Sequence, residues 1–169
     1  MEEKLNIDPN HPILIEIKKQ KILWKIFMCL PVLYLLICEV INKWYFIPNG
    51  IWGFFHLKKD TFKILLLISI FLAFVSEVSI VALKRRYFQQ IKEILNKTDL
   101  VISKMRTMFF ILACFCDTTS GLGLILFLLN GEIWVMALFG IIGLILYAQI
   151  IPNERIIEDL QKTSPFNLE

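Results

Sequence analysis

Long apolar stretches separated by short polar ones dominate the pattern of this chain. Four such stretches cover residues 22–41, 62–83, 107–129 and 133–152. Each has about 20 residues, which is enough for an α-helix to cross a hydrocarbon core of about 30 Å. Backbone groups must be satisfied internally there, and the alternation typical of a membrane barrel is absent. The pattern therefore predicts an all-α, four-span transmembrane helix bundle, a single integral membrane domain over residues 1–169.

The basic residues predict how these four segments are oriented. Fourteen of the 18 Lys and Arg residues lie around the start of the first segment, between the second and third, or after the fourth. Basic residues near membrane segments favour the cytoplasmic side. We therefore expect both termini and the middle loop in the cytoplasm, with the bundle in a bacterial inner (plasma) membrane. Topology accounts for the basic residues, and a net charge of +3 gives no reason to expect a nucleic-acid partner.

The stretch between the second and third segments has a helical pattern of its own. Tyr87, Phe88, Ile91 and Ile94 recur at helical spacing, and Asn96-Lys97-Thr98 is typical of a turn. We therefore expect a cytoplasmic helical hairpin that extends spans 2 and 3. Its apolar side chains either pack on each other or form a docking site for a soluble partner.

Amphipathic segments flank the predicted bundle on both sides. Pro12 precedes Ile13, Leu14 and Ile17, which are followed by several lysines, a pattern typical of an interfacial helix. The tail after Pro152 mixes apolar and acidic residues and predicts a second short amphipathic helix.

Composition excludes several classes of function. Hydrophobic residues make up 57% of the chain and charged residues 20%, which excludes disorder and an ordinary soluble enzyme. His11 and His56 lie outside the apolar segments, and the four cysteines have no zinc-type spacing. Nucleotide loops, nucleophile motifs and metal-binding helix motifs are absent from the sequence. We therefore expect a protein that is not an enzyme and that holds no metal.

The connection between the first two segments is aromatic. Trp44, Tyr45 and Trp52 lie around the turn signal Pro48-Asn49-Gly50. Because Trp and Tyr favour the interface between membrane and water, this loop is predicted to anchor the protein in the outer leaflet. The alternative is a lid over a pocket for a lipid or a quinone. No cofactor is predicted beyond such a lipid or quinone.

Acidic residues within the apolar segments are candidates for function, because a charge in hydrocarbon costs a few kcal/mol or more. Glu39 lies near the outer end of the first span. Glu77 lies in the second span beside a strip of small residues, and this face is predicted to turn toward a neighbouring helix. The strip contains Ser69, Ala73 and Ser76.

Asp117 lies nearest the middle of its span and begins the most polar segment in the four. It is followed by the hydroxyl residues Thr118, Thr119 and Ser120. A carboxylate and hydroxyls can bind Na⁺, or they can hold a protonated acid by hydrogen bonds. The same groups also suit hydrogen bonding between packed helices. The sequence leaves both interpretations open for this site.

Small residues in the third and fourth segments predict close helix packing. Gly and Ala let two helix backbones approach each other in a membrane. The residues concerned are Gly121, Gly123, Ala137, Gly140 and Gly143.

The third segment resembles the carboxylate-bearing helix of rotor-ring c subunits. That helix has an acid among small residues and a Gly-Leu pair several residues later, which Asp117 and Gly123-Leu124 match. The similarity covers only this helix and implies a proton or ion site at Asp117. The third and fourth segments also resemble those of uncharacterised small bacterial four-helix inner-membrane proteins, including the Pro152 and Glu154 that follow them. This second resemblance implies no activity.

Taken together, these features favour a non-enzymatic membrane protein that self-associates or serves as an accessory subunit of a membrane complex. Its expected partners are membrane lipids and either further copies of itself or other membrane subunits. One alternative is a proton- or ion-coupled carrier or channel that uses Asp117 with Glu77. Another is a lipid- or quinone-binding protein that uses the aromatic loop.

Overall fold

The structure is a computed structural model that describes residues 12–55, 57–94 and 97–152. The predictions for His11, His56, Asn96 and the amphipathic tail helix fall outside these residues. Within the described part, the chain is helical and contains no strand, which confirms the all-α prediction. The elements are α1 (Pro12–Met28), α2 (Leu30–Ile41), a π-helical segment (Asn42–Phe46), α3 (Ile47–Asn49), α4 (Lys59–Glu93), α5 (Thr98–Asn130) and α6 (Ile133–Gln149).

Three helical stretches are long and apolar enough to cross a membrane. They are Pro12–Asn49, Lys59–Ile91 and Thr98–Asn130. Helix α6 is also apolar but has only 17 residues. At 1.5 Å per residue it is about 26 Å long, slightly less than the hydrocarbon thickness of about 30 Å. The membrane character of the chain is therefore supported, whereas the arrangement with four spans stays a prediction.

The first of these stretches is not one regular helix. Pro31 has no backbone N–H to donate, and α1 ends just before it with a tight turn from the Cys29 N–H to the Ile26 carbonyl, at 3.1 Å. Helix α2 then leads into the π-helical segment Asn42–Phe46. Gly50, in the left-handed conformation (φ 62°), ends the short helix after it.

Helix α5 lies at the centre of the bundle. It packs against α1, α2, α4 and α6, and α6 also packs against α2. Helices α4 and α5 both continue beyond the apolar segments 62–83 and 107–129. We call this end, which carries the basic residues between positions 84 and 106, the basic end. The opposite end, with residues 42–55, 57 and 58 and the turn at Gly131, is the aromatic end.

Buried apolar clusters join the helices at both ends. At the basic end, Ile17 of α1 packs with Ile91 of α4 and Met105 of α5. At the aromatic end, Phe46 packs on Phe127 of α5, with their ring centroids 5.6 Å apart. The first turns of α1 therefore pack on the extended part of α4 and α5 and do not lie apart from the bundle.

Candidate functional site

Asp117 is held by a partner on another helix. The Tyr34 hydroxyl of α2 donates to its carboxylate, with Oη to Oδ1 and Oδ2 distances of 3.1 and 3.3 Å. Both side chains are half-buried. The acid in the middle of α5 therefore links α5 to α2 through a polar contact. This contact suits a structural hydrogen bond between helices.

The hydroxyls that follow Asp117 do not gather around it. Thr118 and Thr119 donate to the carbonyls of Cys114 and Phe115 one turn earlier in the same helix, at 2.7 and 3.2 Å. This local bonding is common for hydroxyl residues inside helices. Among the described residues there is also no group of three or more His, Cys, Asp or Glu side chains that would suit a metal ion.

Ser120 faces α6. Its hydroxyl oxygen is fully buried and has no hydrogen-bond partner within the described part of the chain. It lies directly against Gly143, so that a Cβ at position 143 would collide with it. Such close contacts between a hydroxyl oxygen and a glycine Cα–H recur where helices approach closely. The serine and the glycine therefore form a tight point of contact between α5 and α6.

The other small residues of α5 and α6 differ in how closely the neighbouring helix approaches them. A Cβ at Gly123 would collide with Phe139, so this glycine is also needed for the approach of the two helices. A Cβ at Gly140 would meet only ordinary contacts, and one at Gly121 would meet nothing within 4 Å. Ala137 is half-buried.

Glu77 lies on the exposed side of α4, away from the other site residues. Ser69, Ala73 and Ser76 are buried, and the Ser76 hydroxyl donates to the Leu72 carbonyl at 3.0 Å. Glu77 itself is exposed and has no hydrogen bond or ion pair with any described residue. The structure therefore does not bring Glu77 together with Asp117. Glu39 is likewise exposed.

The aromatic loop is tied to the bundle by its backbone. The Phe54 N–H donates to the Leu128 carbonyl at 2.8 Å, and Gly53 approaches the backbone of Asn130 too closely for any side chain. Trp44 and Trp52 are 80% and 70% exposed, and Tyr45 is also exposed. Trp52 borders an open cleft of about 640 Å³, which also contains the first residues of α4.

A second cavity with a mostly apolar lining lies at the other end of the molecule. It has a volume of about 560 Å³ at the basic end, and most of its lining is apolar, including Met105 and Phe109. Gln20 and Lys84 supply polar groups, and the Lys84 ammonium donates to the Gln149 carbonyl at 2.7 Å. Each end of the bundle therefore has an open cavity in which a ligand with an apolar body would meet apolar side chains.

One polar contact was not anticipated from the sequence. Arg106 of α5 donates through Nε and Nη2 to the two carboxylate oxygens of Glu16 in α1, at 3.1 and 2.8 Å. The amide of Gln20 donates to the same carboxylate at 3.4 Å. Glu16 is buried, whereas the Arg106 side chain is 56% exposed. The available signal was that Glu16 falls on the same helix face as Ile13 and Gln20, one turn on either side.

The comparisons with known proteins add no assignment. No family model, no curated protein and no solved structure matches this chain. Within the described residues, the features that bear on function are the polar groups of the apolar segments and the surfaces that the bundle exposes.

Proposed function

We propose that this protein is a non-enzymatic membrane subunit that self-associates within the bilayer through the exposed face of α4. The observation that carries the proposal is Glu77. This carboxyl group lies six residues inside the end of the apolar segment 62–83, about 9 Å along the helix. It is exposed and has no described partner.

The exposed position of Glu77 is unfavourable if a single copy of the bundle lies alone in the membrane. A charged side chain facing hydrocarbon costs a few kcal/mol on the mildest scales, and such residues usually face other protein groups. Ile70, Phe74 and Val81 surround Glu77 at helical spacing and are all exposed and apolar. We call these three residues and Glu77 the Glu77 face.

A second copy of the chain fits this face best. Apart from Glu77, the face offers only apolar side chains. A two-fold contact brings the same surface of two copies together and can place one Glu77 opposite the other. Two carboxyl groups brought together at such a contact form a hydrogen bond between the helices. Polar groups between membrane helices contribute about 1–2 kcal/mol to association.

The proposal also specifies which end of the bundle faces the cytoplasm, and it is better supported than a carrier function. The distribution of basic residues supports an inner-membrane location with the basic end in the cytoplasm. A carrier that uses Asp117 with Glu77 has less support, because Tyr34 donates to Asp117 whereas Glu77 is exposed on another helix. An accessory role with other membrane subunits would use the same face, and it becomes an outcome of the test.

Energy transfer between fluorescently labelled copies in liposomes tests this proposal. We expect transfer in the wild type that decreases as protein is diluted into lipid. Glu77→Leu should weaken association about 5–30-fold, because it removes the hydrogen-bonding group. Glu77→Gln should retain most of the association, since an amide both donates and accepts.

Glu39→Leu is the matched control, because Glu39 is also an exposed carboxyl group in an apolar helix. It should leave energy transfer unchanged. A wild type that stays monomeric at all dilutions would overturn self-association and would favour a different membrane subunit as the partner. Equal transfer in the wild type and Glu77→Leu would exclude the Glu77 face as the contact.

A further inference from the structure

The open cleft at the aromatic end has a cationic rim. It lies between the start of α4, the aromatic loop and the turn from α5 to α6, with a volume of about 640 Å³. Lys58, Lys59 and Lys63 line it. All three side chains are exposed, and none forms an ion pair with a described residue.

The one acidic residue that lines this cleft is already engaged. The two carboxylate oxygens of Glu132 accept hydrogen bonds from the Asn130 amide at 2.9 Å and from the Trp134 indole N–H at 2.7 Å. Three ammonium groups therefore face the cleft without a described counter-ion, and they outnumber its single carboxylate.

An apolar wall lies beside these lysines. Phe62 and Leu66 line the same cleft, with Phe62 between Lys59 and Lys63 and Leu66 about one turn after Lys63. Trp52 and Trp134 stand at the rim, as is typical of the boundary between headgroups and hydrocarbon. The cleft thus combines positive charge with apolar surface where the apolar segment of α4 begins.

The position of these lysines in the sequence is also unusual. Only four of the 18 Lys and Arg residues lie outside the three basic regions that predict the topology, and three of these four line the cleft. The preference of Lys and Arg for the cytoplasmic side, which explains the other basic residues, therefore does not explain these three. A binding role accounts for both their number and their clustering.

We propose that this cleft binds the headgroup phosphate of an anionic phospholipid from the leaflet at the aromatic end. Lys58, Lys59 and Lys63 contact the phosphate, and an acyl chain follows the wall formed by Phe62 and Leu66. The wall favours a phospholipid over free phosphate, because an inorganic ion leaves the apolar surface unused. This inference concerns a different surface from the Glu77 face and does not depend on self-association.

Native mass spectrometry of the protein released from nanodiscs tests the proposal. The nanodiscs contain phosphatidylcholine with a minor fraction of phosphatidylglycerol, and the measured quantity is the ratio of the two lipids retained. The wild type should retain phosphatidylglycerol in preference. The triple variant Lys58→Gln, Lys59→Gln and Lys63→Gln should lower this preference roughly tenfold or more, because it removes the three ammonium groups that contact the headgroup phosphate in the cleft.

The variant Lys18→Gln, Lys19→Gln and Lys25→Gln loses the same charge from exposed positions of α1 and is the matched control. It should retain the wild-type preference. Equal retention by the wild type and the cleft variant would overturn the proposal, as would an equal loss in the control variant. Inorganic phosphate added at the lipid concentration should not displace the phosphatidylglycerol. Displacement would show that the cleft binds free phosphate and would overturn the phospholipid as its occupant.

Discussion

At the scale of single residues, the contact between α5 and α6 depends on how Ser120 fits against Gly143. The serine oxygen is buried without a described hydrogen-bond partner, and the glycine leaves it just enough room. The sequence predicted that these helices approach through small residues. It could not show which glycines meet a side chain, because that depends on the rotation of each helix about its axis.

Gly143→Ala should lower the free energy of unfolding by about 1–3 kcal/mol, since the added methyl group overpacks this contact. Ser120→Ala alone should be nearly neutral, because it removes a polar atom that has no described partner. The double variant should recover most of the lost stability, because a Cβ at position 143 then meets the Cβ of residue 120 at 3.4 Å and the Cys116 carbonyl oxygen at 3.6 Å, which are ordinary contacts. Unfolding in mixed detergent micelles measures all three variants.

Gly121→Ala serves as the control for this series, because a Cβ at position 121 has nothing within 4 Å. Its stability should equal or slightly exceed that of the wild type. A Gly143→Ala protein as stable as the wild type would contradict the assigned contact. A double variant as unstable as Gly143→Ala alone would contradict it too.

The sequence predicted Asp117 as a site residue but did not predict its hydrogen-bond partner. Its depth in an apolar segment identified it as a site, because a carboxyl group there needs a partner. Its hydrogen-bond donor, Tyr34, is 83 residues away in the chain, and no local pattern connects the two. The neighbouring threonines looked like possible ligands, yet each donates to its own helix backbone.

At the scale of elements, the helices were predictable where long apolar stretches and helical spacing agree. The interruptions inside the first stretch were not predicted, although Pro31 is a clear signal for the end of α1. The π-helical segment Asn42–Phe46 has no such local signal, and it ends at Phe46, which packs on Phe127 of α5. The apolar segment 133–152 also exceeds the helix it contains, because α6 ends at Gln149.

The attachment of α1 to α5 gives a prediction at this scale. Glu16→Ala and Arg106→Ala should show a coupling free energy of about 1 kcal/mol in a double-mutant cycle. The value is modest because more than half of the Arg106 side chain is exposed, which screens the pair. Unfolding of the wild type, the two single variants and the double variant measures the coupling.

Arg85→Ala, at an exposed position of α4, is the control for this cycle. Combined with Glu16→Ala, it should show no coupling within error. Strict additivity of the Glu16 and Arg106 effects would mean that their contact contributes nothing to the packing of α1.

At the scale of the whole molecule, the bundle supplies partners for two charged side chains of α5 and leaves Glu77 exposed on α4. Arg106 pairs with Glu16 of α1, and Asp117 accepts from Tyr34 of α2. Glu77 has no partner among the described residues. The sequence identified this carboxyl group but predicted that its face turns toward a neighbouring helix of the same bundle. The structure shows the buried small residues turning inward and Glu77 remaining exposed.

The most direct test of the proposed assembly is disulfide crosslinking between copies in liposomes. Single cysteines are placed along α4 in a background where the exposed Cys29 and Cys114 are replaced by alanine. Ile70→Cys and Val81→Cys lie on the Glu77 face and should form crosslinked dimers. Ile68→Cys and Val75→Cys are exposed on the other side of α4 and should not. Equal crosslinking at all four positions, or crosslinking only at positions 68 and 75, would contradict self-association through the Glu77 face.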